Sequence, residues 1–219
     1  LINNSIKSIS SADDFTIFLT KNETKFYIFG NNENNNLAYG KQKYLYEPMD
    51  YLANMKNQFE DLLHNISNES RYKNPEIEFL QEEISKVFFN KLKIISIRNY
   101  GKGFVFLNDK GQIFISNGKK CENFMDSIPS SFRFSSVKFT QIECGKNFCI
   151  LNSTNGLIYS YGENECGQLG HGDFYKRDSI SEIGIFKDLG IRTMQISCGY
   201  KHVVVRSNKN RIYTWGNVR

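Results

Sequence analysis

CGKNFCILNSTNGLIYSYG, residues Cys144 to Gly162, lies without gaps over CGYKHVVVRSNKNRIYTWG, residues Cys198 to Gly216. Each half reads as two apolar strands joined by a turn. Asn155-Gly156 and Asn208 to Asn210 occupy the turns, where Asn and Gly accept the positive φ that other side chains resist. An internal repeat decides the architecture before any single element does. Two looser copies follow once this one is seen, ADDFTIFLTKNETKFYIFG from Ala12 and YGKGFVFLNDKGQIFISN from Tyr100. Their second strands align as Lys25 to Phe29, Gln112 to Ser116, Leu157 to Tyr161 and Arg211 to Trp215, with an aromatic residue always third: Tyr27, Phe114, Tyr159 and Tyr213. Apolar neighbours on both sides of that aromatic predict strands buried on both faces, the environment of stacked propeller blades.

The string YGENECGQLGHG, Tyr161 to Gly172, follows the best strand pair and is answered by FGNNENNNLAYG, Phe29 to Gly40. Its glycines imply a tight connection with several positive φ angles, and Leu169, matched by Leu37, is the expected plug into the core. An apolar strand ending in a small residue and Gly, a His-led strand, an aromatic-Gly pair and Gly-Gln-Leu-Gly-x-Gly together resemble the repeats of the regulator of chromosome condensation family. Residues 144 to 216 carry that resemblance best. The motif positions are Gly30, Leu37, Gly145, Gly162, Gly167, Gln168, Leu169, Gly170, Gly172, Gly199, His202, Trp215 and Gly216. The resemblance implies an all-β fold of the seven-bladed propeller type, of which about four degenerate repeats are present. The expectation is a partial propeller or a piece of a longer chain.

Gly162 and Gly216 are 54 residues apart, Asn117 and Gly162 are 45 apart, and Gly30 and Asn117 are 87 apart. The long interval asks for an insertion. Leu52, Met55, Phe59, Leu62, Leu63 and Ile66 recur at helical spacing, as do Ile77, Leu80, Ile84, Val87, Phe88 and Leu92. Asn74-Pro75-Glu76 supplies a start signal for the second series. The expected organisation is a first blade region at 1–48, a helical hairpin at 49–93 and further blades at 94–219. The hairpin either packs on the propeller or docks a partner through Leu52, Met55, Phe59, Leu62, Leu80, Ile84 and Phe88.

With 28 basic against 23 acidic residues, the net charge of +5 does not by itself argue for nucleic acid. The five cysteines include no Cys-x-x-Cys pair, which fits buried thiols in a reducing compartment better than a metal site. No hydrophobic run approaches the roughly 20 residues of a membrane span. The expected location is intracellular, nuclear or cytoplasmic first and organellar second.

His202 heads its strand where the other copies have Phe15, Phe104 and Phe148, so packing rather than chemistry is its expected role. His171 lies two residues before Asp173, but no nucleophile or metal partner completes an acid-base site. Gly-Gln-Leu-Gly-His-Gly lacks the Lys-Ser/Thr of a phosphate loop, and the Gln168 amide is expected to tie neighbouring backbones. No catalytic residue, cofactor or metal ligand is expected. The founding member of the family that these repeats resemble stimulates nucleotide exchange on the Ran GTPase at chromatin, and other members are scaffolds. The reading is a non-enzymatic protein-interaction scaffold, with an exchange factor for a Ran-like small GTPase second and an RNA- or ribosome-associated propeller third.

Overall fold

A computed structural model describes residues 5–12, 14–32, 44–50, 52–53, 57, 93–101, 103–116 and 137–217. Among the described residues, fourteen strands form four antiparallel sheets, with a short helix before the last. The first contains β1 (Ile6–Ser11), β2 (Phe15–Thr20), β3 (Phe26–Asn31) and β4 (Tyr44–Asp50), in that order. The second contains β5 (Ile94–Tyr100), β6 (Gly103–Asn108) and β7 (Ile113–Ser116). The third contains β8 (Phe139–Gly145), β9 (Phe148–Ser153), β10 (Ile158–Gly162) and β11 (Arg177–Glu182). Helix α1 (Gly184–Asp188) leads to the fourth, β12 (Thr193–Cys198), β13 (His202–Ser207) and β14 (Ile212–Gly216). These are up-and-down β-propeller blades, and the repeat quoted above supplies the middle strands of the third and fourth.

The alternation of side chains along a strand explains why the middle strands are apolar throughout. In β6, Phe104 and Phe106 join Phe15, Ile17, Leu19, Phe26 and Ile28 in the core between the first and second blades. Val105 and Leu107 face the other way, onto Phe139, Ile142, Cys149 and Leu151 of the third. Phe148 and Ile150 of β9 then meet Ile196, Val203 and Val205 of the fourth. All six residues of β6 and all six of β9 are buried. β13 buries Val203 and Val205 but leaves His202 and Arg206 exposed on its outer side.

Main-chain hydrogen bonds repeat at each junction. The turn after the second strand of a blade offers a carbonyl to the first strand of the next: Ile94 N–H donates to Glu23 O at 2.6 Å, Phe139 N–H to Gly111 O at 2.9 Å and Thr193 N–H to Gly156 O at 2.9 Å. Side chains add to the ladder. Arg98 of β5 grips Glu143 of β8 with two bonds, Nε at 3.0 Å and Nη2 at 2.9 Å. Asn152 Nδ2 donates to Thr193 O at 3.1 Å.

Register corrects one sequence alignment. Tyr100 pairs with Gly103 as Gly145 pairs with Phe148, so Gly103, not Phe104, holds the place of Phe15, Phe148 and His202. Phe104 instead stands level with Cys149. Gly103 has no side chain to mark the strand's start, so in the sequence the run begins visibly only at Phe104.

The helical insertion expected over 49–93 lies almost wholly outside the described residues, Met55, Phe59, Leu62, Leu80, Ile84 and Phe88 included. At its edge, Met49 and Asp50 belong to β4, while positions 52, 53 and 57 are helical. Leu52 is 6% exposed and packs in the first junction core. Leu37 also lies outside the described residues.

Candidate functional site

Apart from Gly30 in the first blade and Leu37 outside the described residues, the motif residues lie in the third and fourth blades and the loop between them. Gly162 ends β10 opposite Phe148, with φ +109°, and a Cβ there would lie 2.3 Å from Asn147 O and 2.9 Å from Phe148 Cα. Gly30 and Gly216 sit in the same geometry opposite Phe15 and His202. The next residue in each blade donates its N–H at 2.8 Å to the residue before that partner: Asn31 to Asp14, Glu163 to Asn147 and Asn217 to Lys201. The aromatic-Gly pair is thus a backbone crossing that admits no side chain. Gly145 and Gly199 make room differently, because a Cβ on either would be 2.1 Å from the ring of Phe148 or His202 respectively.

From Gly162 the chain enters the glycine-rich loop, where Gly167, Gly170 and Gly172 all have positive φ. Asn164, 1% exposed, organises it: Oδ1 accepts from Leu169 N–H at 2.8 Å and Nδ2 donates to Asp173 O at 2.9 Å. Leu169, fully buried, fills the core between the blades as the plug. The Gln168 amide, expected to tie neighbouring backbones, closes its own loop instead. Its side-chain Oε1 accepts from Cys166 N–H within the loop, whereas its main-chain oxygen accepts from Trp215 Nε1–H of the fourth blade at 2.8 Å. Trp215 and Tyr213 also pack on Phe186 of α1, at 5.6 and 5.4 Å between ring centres.

His171 Nε2 is 2.8 Å from Ser160 Oγ, and Asp173 is near in sequence, a combination that invites comparison with a nucleophile and its base. The geometry serves folding. Ser160 is 0% exposed on β10, out of reach of a substrate carbonyl. Asp173 is engaged by Arg177 at 2.6 Å, by Tyr175 N–H at 3.0 Å and by Asn164 Nδ2 at 3.1 Å. Burial, with the Arg177 charge second, pushes the His171 imidazole below its ordinary pKa, and the Arg177 bond holds the Asp173 carboxyl low.

The same loop presents what sequence reasoning missed. Phe174 and Tyr175 at its tip are 72% and 76% exposed, and Tyr200, in the turn between β12 and β13, is 61% exposed. Lys201 beside Tyr200 pairs with Glu165 of the loop at 3.0 Å, and Lys146 Nζ lies 4.7 Å from the Tyr200 ring centre. Lys146 N–H donates to Tyr200 O at 2.9 Å, locking the two turns together. Three exposed aromatic rings are therefore held on rigid turns at one end of adjacent blades. Only their exposure distinguishes them, and nothing in a polar loop's sequence announces that. Among the described residues no group of His, Cys, Asp and Glu could hold a metal, and no helix is long and apolar enough to cross a membrane.

Residues 155–206 match the model of the regulator of chromosome condensation (RCC1) repeat. The serine/threonine-protein kinase Nek8 of Danio rerio is 31% identical over 83 residues, 37% of this chain and 12% of the kinase. Human WBSCR16 superposes with TM-score 0.63 at 17% identity, covering 99% of this chain and 48% of that structure. Prp20p of Saccharomyces cerevisiae, whose binding to Gsp1p and histones has been described, gives TM-score 0.61 at 15% identity, covering 97% of this chain and 44% of that one. The match thus spans under half the length of each of these three proteins, and the two solved structures share its fold.

Proposed function

We propose that this chain, a repeat protein of the regulator of chromosome condensation family, is a non-enzymatic scaffold that binds a protein partner through Phe174, Tyr175 and Tyr200. The carrying observation is the exposure of these three rings on turns fixed by hydrogen bonds and by the Lys201–Glu165 pair. Aromatic residues on preorganised backbone give contact area at little entropic cost, and such residues dominate binding energy at interfaces. In this reading the protein is nuclear or cytoplasmic, with an organelle second.

Exchange on a Ran-like small GTPase is the second reading, favoured by the shared fold with Prp20p, which binds Gsp1p and histones. Fold alone does not transfer that chemistry. A nucleotide-release assay with the full chain and purified small GTPases separates the two. The scaffold reading expects release at the unassisted rate, and strong acceleration overturns it. Once a partner is identified, replacing Phe174, Tyr175 and Tyr200 together by Ala should weaken binding at least about tenfold, as loss of a single modest hot spot would.

A further inference from the structure

We infer that Cys144 and Cys149 form a peroxide-oxidised dithiol site, closing to a cross-strand disulfide within the third blade. The two residues are directly paired across β8 and β9, on the same side of the sheet. Their sulfurs are 3.0 Å apart, inside the separation of non-bonded sulfurs and about an ångström from the roughly 2.05 Å of a disulfide. Closure therefore needs side-chain adjustment rather than strand movement. Cys149 is fully buried, while Cys144 keeps partial exposure as a residue around a buried thiol, so Cys144 is the first that a small oxidant reaches.

The oxidant class is a hydroperoxide. The Cys144 thiolate attacks one peroxide oxygen; an S–O bond forms, the O–O bond breaks, and the departing hydroxide is protonated to water. The Cys149 sulfur then attacks the Cys144 sulfenic acid; the S–S bond forms, the S–O bond breaks, and the hydroxide leaves with the Cys149 proton as a second water. Two thiols lose two electrons and one peroxide gains them. Burial, with the Cys149 contact second, pushes the Cys144 thiol well above its ordinary pKa, so attack proceeds from a small thiolate fraction and quickens as pH rises.

The fourth blade supplies an internal control. Cys198 stands where Cys144 does, but its cross-strand partner is Val203. Its cross-strand position offers no thiol, and Cys149→Val reproduces a pairing that this fold already accommodates.

The experiment treats the folded full chain with hydrogen peroxide, quenches, denatures, alkylates with N-ethylmaleimide and maps tryptic peptides. Cleavage after Lys146 separates the two cysteines, so the disulfide appears as a linked pair of peptides that dithiothreitol releases. The expected result is loss of two alkylatable thiols, the linked pair, and faster closure at pH 9 than at pH 7. Cys149→Val should abolish the pair, while Cys166→Ser, whose residue shares the second peptide, should keep it. Full alkylation after peroxide overturns the proposal, as does a linked pair that survives Cys149→Val or joins Cys121, Cys166 or Cys198.

Discussion

Gly162 and Gly172 look alike in the sequence, two glycines of one loop, yet their backbones ask for different things. Both have positive φ, but a Cβ at Gly172 meets nothing within 4 Å, whereas one at Gly162 strikes the backbone of Asn147 and Phe148. Gly172→Ala should therefore cost only the left-handed conformation, about 1–2 kcal/mol. Gly162→Ala adds a backbone collision, and we expect more than about 3 kcal/mol or failure to fold. Urea denaturation of the two variants tests this, and equal losses would remove the backbone-crossing account of the aromatic-Gly pair. The repeated glycine was legible because three blades share it. The exposed rings of Phe174, Tyr175 and Tyr200 were not, since no period relates them and exposure depends on where the loop and turn end up in space.

At the scale of elements, the glycine-rich loop carries its own pH response. The His171 imidazole is lowered in the folded state, so the unfolded chain, with a value near 6.5, takes up a proton first. Stability is then full above that pH and falls as pH drops through it. The Asp173 carboxyl is lowered too, and its contribution is present above the ordinary carboxylate range and lost at still lower pH. Thermal midpoints measured from pH 8 to 3 should fall in two stages. His171→Asn should flatten the stage between 7 and 5, and Asp173→Asn the acid one; an unchanged upper stage in His171→Asn would assign it elsewhere. Elements also show where sequence reading stops. β6 and β9 were recognisable because both faces are buried and apolar, whereas β13 and β14 kept the repeat's pattern although one side of β13 and most of β14 are not buried. First strands were not recognisable, although all four carry a register shift at the same place, after Ile6, Ile94, Phe139 and Thr193. Such a bulge is written in backbone geometry that many side chains tolerate. The register of β6 slipped by one for the related reason that Gly103 is silent.

At the scale of the molecule, stability is a chain of junctions. Each blade packs chiefly on its neighbours in sequence, and each junction has its own apolar core and its own backbone bond from a turn carbonyl to the following blade. Repetition of nearest-neighbour interfaces makes damage local. Leu169→Ala empties a fully buried site in the core between the third and fourth blades, at a cost of about 2–5 kcal/mol for such a truncation. The loss should appear first where that core is the sole support. Among the described residues, β12, β13 and β14 have only this junction, and the outer side of β13 leaves His202 and Arg206 exposed. β2 and β6 share a different core, built from Phe15, Ile17, Phe104 and Phe106, and do not touch Leu169. Hydrogen exchange followed by mass spectrometry on the folded variant should show faster exchange over 193–216, with amides over 15–20 and 103–108 protected as in the unaltered chain. Uniform acceleration across all four blades would mean that the propeller opens as one cooperative unit, with junction energies shared around it rather than held one by one.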